Sequence, residues 1–306
     1  MGHDLSRWPC PAPLRAGDTV SIAAPSSALH EDDSLIRGIA VLESWGLQVS
    51  PPPSHHRRWG YLAGDDRERS QDLVNAQSAP LLACARGGWG AARVLEQSIP
   101  WTQGWLLGFS DITALLCSRM AHGFGGGIHG PLITTLADEP DWSRQRLHDL
   151  LFGDPVACLK GTRWRGGQAT GPLLTVNLTV ASHLLGSDHL PDLKGAILVI
   201  EDVGEAPYRL DRMLTQWRLA GLLQGLAGLG FGRFSDCDDD PPDPDPTRTF
   251  TLEQVLRERS EDLGCPVIAN LPVGHGSGGN AALPVGVTAR LDADRGTLSL
   301  DLPAHR

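Results

Sequence analysis

Apolar runs of strand length alternate with amphipathic segments along the first half of the chain. The runs at residues 19–27, 47–50 and 79–85 are nearly continuous in apolar side chains, which predicts buried strands. Apolar residues at helical spacing predict helices over residues 33–45 and 65–76. Because strands that alternate with helices usually pair in parallel, we expect an α/β fold whose parallel sheet is covered on both faces. Functional side chains should then lie at the carboxyl ends of its strands.

The composition changes between residues 140 and 171. This stretch is charged and contains tryptophan and several glycines, unlike the apolar runs before it. Domain boundaries commonly fall where such a change occurs. We therefore expect an α/β domain over residues 1–150, a linker over 151–170 and a second domain over 171–306.

The second domain is predicted to open on a strand over residues 195–202, which a long helix over 208–224 follows. A further helix is expected over residues 252–263. Between these helices, residues 235–246 interleave aspartate with proline, which favours a solvated loop over a cation site. Short strands complete the prediction, near Val267, Val287 and Leu298.

Composition and charge limit the classes of partner. The 306 residues are 41% hydrophobic and 20% charged, which is an ordinary balance for a folded protein, and the formal net charge is -10. An acidic protein suits neither a nucleic-acid polymer nor an anionic membrane, so a small molecule or peptide is the expected partner. The N-terminus lacks a signal-peptide pattern and no apolar run could span a bilayer, which predicts a cytoplasmic protein. Six scattered cysteines predict neither a zinc site nor a disulfide framework.

Ser110 stands where a short apolar strand is predicted to turn directly into a helix, within residues 105–116. At such a turn the hydroxyl projects from the edge of a sheet, and the first helical amides are free to hold an oxyanion. The surrounding sequence, Gly-Phe-Ser-Asp, is not the G-x-S-x-G pattern, and a serine before a helix is also a favoured N-cap. This segment alone therefore leaves both a nucleophile and a helix cap open.

A nucleophilic serine needs a base, and the base needs a carboxylate that fixes its tautomer. His275 lies in a glycine-rich loop directly after a buried-looking run, and His129 is the rival base or a pocket residue. Glu201 ends a predicted strand, where a carboxylate can be partly buried and aimed at a histidine. Glu205 is the alternative acid.

Short segments spread nearly from end to end resemble the serine-type LD-carboxypeptidases, a family that also includes the microcin C immunity proteins. Each segment is short, but their shared order makes a chance resemblance improbable. The alignment of residues 200–202 with the family's strand-end carboxylate favours Glu201 over Glu205. The matching segments are residues 24–27, 61–64, 86–90, 108–113, 129–131, 177–178, 200–202 with Tyr208 and 212–214, and 271–275.

The resemblance implies a fold and a mechanism. The family joins an α/β nucleophile domain, like that of class I glutamine amidotransferases, to a smaller β-rich C-terminal domain, and its members are commonly homodimers. It implies Ser110 as the nucleophile, His275 as the base and Glu201 as the acid that orients the base. The backbone amides of Gly88 and Asp111 are the implied oxyanion hole, and neither a metal nor an organic cofactor is implied.

The expected substrate-binding residues are Trp89, His129 and Asn177. The family usually has two glycines before this asparagine, which allow a close backbone approach to substrate, whereas a Thr-Val pair precedes Asn177 here. Trp89 stands where tyrosine or phenylalanine is frequent, and Trp59 lies in a nearby segment. These two rings either reshape the pocket or pack at the domain surface.

The implied reaction is hydrolysis of the bond between an L-centre and a terminal D-amino acid. Release of D-Ala from cytoplasmic murein tetrapeptide during peptidoglycan recycling is the leading expectation. The alternative is an immunity-type cleavage of an amide or acyl-phosphoramidate in a peptidyl-nucleotide, for which Trp89 or Trp59 could stack on the base. A binding module without turnover would lack a triad residue, and none is missing.

Overall fold

Two β-sheets with helices packed against them form the fold, in a computed structural model that describes residues 8–30, 33–239, 245 and 247–302. The first sheet has six strands. Their spatial order is β12 (Leu283–Pro284), β5 (Gly127–His129), β4 (Trp105–Gly108), β3 (Leu81–Cys84), β1 (Thr19–Ala23) and β2 (Gln48–Val49).

Strands β1 to β5 are parallel, as the alternating pattern predicted. Successive residues of β3 and β4 face opposite sides of the sheet. Leu82 and Leu106 belong to one hydrophobic cluster, whereas Leu81 and Leu107 belong to another. Both faces are therefore buried, which explains why these strands are nearly continuous in apolar residues.

Among the described residues of the first half, six helices follow the strands. The predicted helices over 33–45 and 65–76 are observed within one residue at each end, and the second begins with a capping box between Asp65 and Glu68. The helices are α1 (Ser34–Ser44), α2 (Asp66–Ala76), α3 (Ala91–Val94), α4 (Thr113–Ala121), α5 (Ile133–Leu136) and α6 (Asp141–Phe152).

The second sheet has eight strands, of which β8 to β11 are parallel and the others pair antiparallel. The segment 151–170, expected to be a linker, instead contributes β6, β7 and the start of β8 to this sheet. The order is β6 (Leu159–Lys160), β14 (Thr297–Leu300), β13 (Thr288–Asp292), β8 (Gln168–Asn177), β9 (Ile197–Val203), β10 (Gly228–Ser235), β11 (Val267–Ala269) and β7 (Thr162–Arg165).

The helices described in the second half are α7 (Leu178–Ser182), α8 (Pro207–Leu219) and α9 (Leu252–Ser260). The helix predicted over 208–224 ends early because Gly221 adopts a left-handed conformation, with φ of +75°. The loop predicted over 235–246 lies partly outside the described residues. No helix among the described residues is long and apolar enough to cross a membrane.

The two halves of the chain are joined by more than one connection. Strand β12 belongs to the second half in sequence but pairs antiparallel with β5 in the first sheet. On helix α6, Ser143 donates a hydrogen bond to the carbonyl of Asn280 at 2.9 Å, and Arg146 donates one to the carbonyl of Ala282, also at 2.9 Å. Side chains from the first half therefore hold the segment that leads into β12.

Candidate active site

Ser110 lies at the sharp turn that links β4 to α4. Phe109 is extended, with φ of −147°, and Ser110 then adopts a left-handed φ of +63° before a 3-10 turn over Ser110–Ile112 leads into the helix. A non-glycine residue in this region costs about 1–2 kcal/mol, and such strain is a property of nucleophile elbows. The strand-to-helix turn predicted from sequence is present, and it carries the serine at its point of strain.

The glycine turn after β3 lies directly beside this serine. A Cβ placed on Gly87 would be 3.2 Å from Ser110 Oγ and 3.6 Å from the main-chain nitrogen of Asp111. Gly88 has φ of +105° and fits closely against Ser27, whose Oγ would be 2.4 Å from an added Cβ. Gly88 was expected at the site from the sequence and Gly87 was not, although both belong to the same Arg-Gly-Gly turn.

The side chain of Asp111 fixes the elbow rather than facing the cleft. Its Oδ2 accepts hydrogen bonds from Ser26 Oγ at 2.6 Å and from the main-chain N–H of Ala91 at 2.8 Å. Burial raises the pKa of this carboxyl group. The loop after β1, the start of α3 and the elbow are thereby tied together. The part of Asp111 that can serve the oxyanion hole is its backbone amide, not its side chain.

Ser110, His275 and Glu201 form a continuous hydrogen-bonded chain. His275 Nε2 is 3.0 Å from Ser110 Oγ, and His275 Nδ1 is 2.7 Å from Glu201 Oε2. The same carboxylate oxygen accepts the main-chain N–H of His275 at 3.1 Å. Because an ionised carboxylate only accepts, Nδ1 carries the proton and Nε2 is the acceptor for the serine hydroxyl.

Burial and charge act in opposite directions on this pair. Glu201 is fully buried, and burial alone would raise its pKa, but His129 and His275 beside it lower the pKa to about 2. Burial alone would lower the pKa of His275, but the hydrogen bond and negative charge of Glu201 raise it above its ordinary value. The pair is therefore an ionised carboxylate beside a histidine with strengthened basicity.

Asn177 does not face the cleft, in contrast to its expected role in substrate binding. It is 3% exposed, and its Nδ2 donates to Glu201 Oε1 at 3.2 Å and to Asp202 Oδ1 at 3.1 Å. Its Oδ1 accepts the main-chain N–H of Val180 at 3.0 Å and so caps helix α7. Because the amide nitrogen and oxygen both bond to groups within the protein, Asn177 orients the two adjacent carboxylates.

The loop that carries His275 is held by several elements. Its own Asn280 closes it by accepting the main-chain N–H of Gly274 at 2.8 Å. From the first half, Glu139 accepts the main-chain N–H of Asn280 at 2.7 Å, and on β10 Ser235 Oγ donates to the carbonyl of His275 at 2.8 Å. The flexible glycine-rich sequence is thus fixed by hydrogen bonds, and the base keeps its position.

His129 and Glu205, the alternative base and the alternative acid, do not belong to the hydrogen-bonded triad. His129, at the end of β5, is fully buried, and its Nε2 is 3.9 Å from Glu201 Oε1, which is beyond hydrogen-bond range. It is therefore neither the partner of Ser110 nor an accessible substrate contact. Glu205 precedes α8 and lies 3.4 Å from the guanidinium of Arg209 in the first turn of that helix, and no described contact joins Glu205 to the triad.

A cleft of about 280 Å³ opens beside Ser110 and His275. Trp89 is 37% exposed and Trp59 is 50% exposed, and among the described residues neither ring lines this cleft. Trp89 packs edge-on against His183 instead. The cleft is lined by Ser110 and His275 together with His30, Ser34, Arg86, Gly87, Gly88, Phe109, Leu132, Thr134 and Thr135.

Arg69 is a structural residue that the sequence argument missed. It is fully buried, forms a salt bridge with Asp66, and donates to the main-chain carbonyls of Pro25, Gly64 and Gly90. A buried arginine of this kind carries no sequence signal, since it lies on a helix among other charged residues. It fixes the end of the glycine turn that lies beside Ser110.

Two family models match the chain. The LD-carboxypeptidase N-terminal domain matches residues 20–130, and the LD-carboxypeptidase C-terminal domain matches residues 170–291. The chain belongs to the LD-carboxypeptidase family. A Synechocystis protein that bears a carboxypeptidase name is 48% identical over 296 residues, covering 94% of this chain and 96% of that protein. The murein tetrapeptide carboxypeptidase of Pseudomonas aeruginosa is 34% identical over 304 residues, covering 90% and 94%.

Solved structures of family members share the fold. Muramoyltetrapeptide carboxypeptidase from Oxalobacter formigenes has a TM-score of 0.82 at 28% identity, covering 93% of this chain and 99% of that one. The microcin C7 self immunity protein in complex with aspartyl sulfamoyl adenosine has a TM-score of 0.79 at 18% identity, covering 97% and 99%. The mixed α/β architecture with two sheets is therefore that of the LD-carboxypeptidases, which are serine-type hydrolases.

Proposed function

We propose that this protein is a serine carboxypeptidase that releases a terminal D-amino acid from a murein peptide, with D-Ala of the tetrapeptide as the leading substrate. The observation that carries the proposal is the hydrogen-bonded chain from Ser110 through His275 to a buried, ionised Glu201, at the edge of a cleft. Relatives named for murein peptides support the substrate class.

In the proposed mechanism, Ser110 attacks the scissile carbonyl while His275 takes its proton, and His275 later returns that proton to the leaving amine. Glu201 stabilises the imidazolium that forms between the two steps. The backbone amides of Gly88 and Asp111 receive the oxyanion, because the glycine turn and the first turn of the helix both adjoin the serine. A water molecule then attacks the acyl-enzyme by the same route in reverse.

A carboxypeptidase must also bind the terminal carboxylate of its substrate. Among the described residues that line the cleft, Arg86 is the one arginine, and lysine is absent from that lining. It follows β3 and immediately precedes the two glycines beside Ser110, and its Nη1 donates to the carbonyl of Ala28 at 2.9 Å. We propose that Arg86 receives the carboxylate, which would place the penultimate carbonyl near Ser110.

The peptidyl-nucleotide alternative receives less support. It called for an aromatic platform in the pocket, but Trp89 and Trp59 do not line the cleft among the described residues. The likeness to the microcin immunity protein, at 18% identity, concerns the fold. We therefore propose a murein peptide as the substrate, and a peptidyl-nucleotide amide serves as a comparison substrate.

Oligomeric state, domain type and cellular location are proposals as well. We propose a homodimer and an α/β domain like that of class I glutamine amidotransferases, on the basis of that resemblance. We also propose a cytoplasmic location, which is supported by six cysteines that are all unpaired in the structure, as is usual in a reducing compartment. The division into an α/β domain over residues 1–150 and a second domain over 171–306 stays a prediction, whereas residues 151–170 contribute strands to the second sheet.

Mass spectrometry of purified murein tetrapeptide incubated with the protein tests the proposed function. Loss of one alanine is expected, while the same peptide with terminal L-Ala should remain intact. Ser110→Ala should lower turnover by roughly 10⁴ to 10⁶-fold without unfolding the protein, because triad residues act as a unit. Hydrolysis by Ser110→Ala at the wild-type rate, or cleavage of the nucleotide amide alone, would contradict the proposal.

A further inference from the structure

His129 is a buried histidine whose polar atoms have no hydrogen-bond partner. It lies at the end of β5, beside Gly108 of the elbow strand in the sheet register, and it is fully buried. Neither ring nitrogen has a hydrogen-bond partner among the described residues. Buried polar groups are nearly always paired, because leaving one unpaired costs stability. The presence of an imidazole at this position therefore calls for a role.

The charged group nearest to this ring is the triad carboxylate. His129 Nε2 is 3.9 Å from Glu201 Oε1, the oxygen that does not contact His275. The other oxygen, Oε2, receives both hydrogen bonds from His275. A displacement of about 1 Å would bring the two groups within hydrogen-bond range. His129 and His275 thus lie on opposite oxygens of one carboxylate.

We propose that His129 is a positioning residue that acts through Glu201 and sets the basicity of His275. This inference rests on the proposed hydrolase mechanism. An N–H group or a positive charge beside Oε1 withdraws negative charge from the side of Glu201 that faces His275. A weaker negative charge there lowers the pKa of His275, which keeps more of the base neutral and able to accept the serine proton near neutral pH.

The direction of this effect does not depend on the protonation state of His129. A neutral ring that donates to Oε1 and a charged ring near Oε1 both reduce the field of Glu201 at His275. Two apolar residues adjoin His129: Phe109 of the elbow contacts its ring, and Leu283 of β12 is its partner in the sheet. Asn177 also donates to Glu201 Oε1, at 3.2 Å, and is unaffected by the substitution. Asp202, next to Glu201, raises the pKa of His275 from the second sheet and is unaffected by the substitution.

The test compares His129→Leu, which removes the donor, with His129→Gln, which keeps one. In His129→Leu the acidic limb of the kcat/KM profile should move to higher pH by roughly one unit, which lowers kcat/KM by up to about tenfold on that limb while KM changes little. His129→Gln should retain a limb near that of the wild type. Leu283→Val is the matched control, since it changes packing beside His129 but no charge.

A measurement without substrate separates this inference from the proposed function. The imidazole ¹⁵N resonances of His275 report its pKa directly, so the predicted rise in His129→Leu is testable even if no peptide is cleaved. In the wild type, the His129 resonances should shift as His275 titrates. This second measurement uses the wild-type protein alone, so it does not depend on the folding of a variant. The inference would be overturned if the pKa of His275 were unchanged in His129→Leu, or if the wild-type His129 resonances did not shift as His275 titrates. A rise in KM alone would assign His129 to substrate binding instead.

Discussion

Glu201→Gln removes a negative charge from the triad while preserving the size of the side chain. In the wild type, Oε2 of Glu201 accepts the ring Nδ1–H of His275 at 2.7 Å, which leaves Nε2 unprotonated toward Ser110. A glutamine amide in that place can donate to Nδ1 and so favour the opposite tautomer. We expect kcat to fall by about 10³ to 10⁴-fold, which corresponds to a barrier raised by about 4–5.5 kcal/mol.

The pH profile carries a second, independent prediction for the same variant. Activity needs neutral His275 and is lost as the pH falls through its pKa, which Glu201 raises. Without that charge, burial remains and lowers the pKa, so the acidic limb should move to lower pH while the plateau falls. The assay is kcat/KM for release of D-Ala between about pH 4 and 9. Glu205→Gln, at the surface pair with Arg209, is the control.

One outcome would refute the reasoning directly. If Glu201→Gln kept kcat within tenfold of the wild type and left the acidic limb in place, then the 2.7 Å contact would be structural. Comparable losses from Glu205→Gln would instead move the orienting role to that acid. Circular dichroism and thermal unfolding of both variants establish that any loss of activity is not a loss of fold.

Three further predictions concern stability. Ser110→Gly should abolish hydrolysis yet raise the unfolding free energy by up to about 1 kcal/mol, because glycine tolerates the φ of +63°. A clearly lower unfolding free energy, measured by urea denaturation, would argue against strain at this residue. Asn177→Leu should cost roughly 3 kcal/mol and lower kcat, because the cap of α7 and the bonds to the acids are lost; a changed KM with stability intact would restore the substrate-binding role. Because the pKa of Glu201 is lowered from 4.5 to about 2 in the folded protein, its ionised form stabilises the fold by about 3 kcal/mol above pH 4.5, and this contribution is lost as the pH falls toward about 2. In denaturant titrations, the unfolding free energy of Glu201→Gln should therefore fall less steeply over that pH range than that of the wild type.

The strongly patterned elements of the first half could be predicted from the sequence. Continuous apolar runs predicted β1 and β3, and apolar residues at helical spacing predicted α1 and α2 within one residue at each end. The strands β6 and β7 were missed because they are short and mostly exposed, so they have no apolar pattern. Strand β12 has two residues, and its pairing with β5 depends on a contact between distant parts of the chain.

The site shows the same division between local and distant information. The turn at Ser110 has a local signature. Glu201 and His275 were candidates from their places in the sequence, the family resemblance favoured them over the alternatives, and the structure brings them within hydrogen-bond distance. His129 and Asn177 were expected to contact substrate, but both are buried where the two sheets meet. Such burial is set by tertiary packing, and the identity of a polar residue does not reveal whether it faces a cleft or a neighbouring carboxylate.

The return of β12 to the first sheet has a consequence for synthesis on the ribosome. Ser110 leaves the ribosome 165 residues before His275. The antiparallel partner of β5, strand β12, is synthesised later still. A nascent chain therefore holds a nucleophile without a base, beside an unpaired strand edge that can pair with other chains. We expect products of interrupted translation to be inert toward peptides and prone to aggregate, so hydrolysis begins only once the last strand of the first sheet has been made.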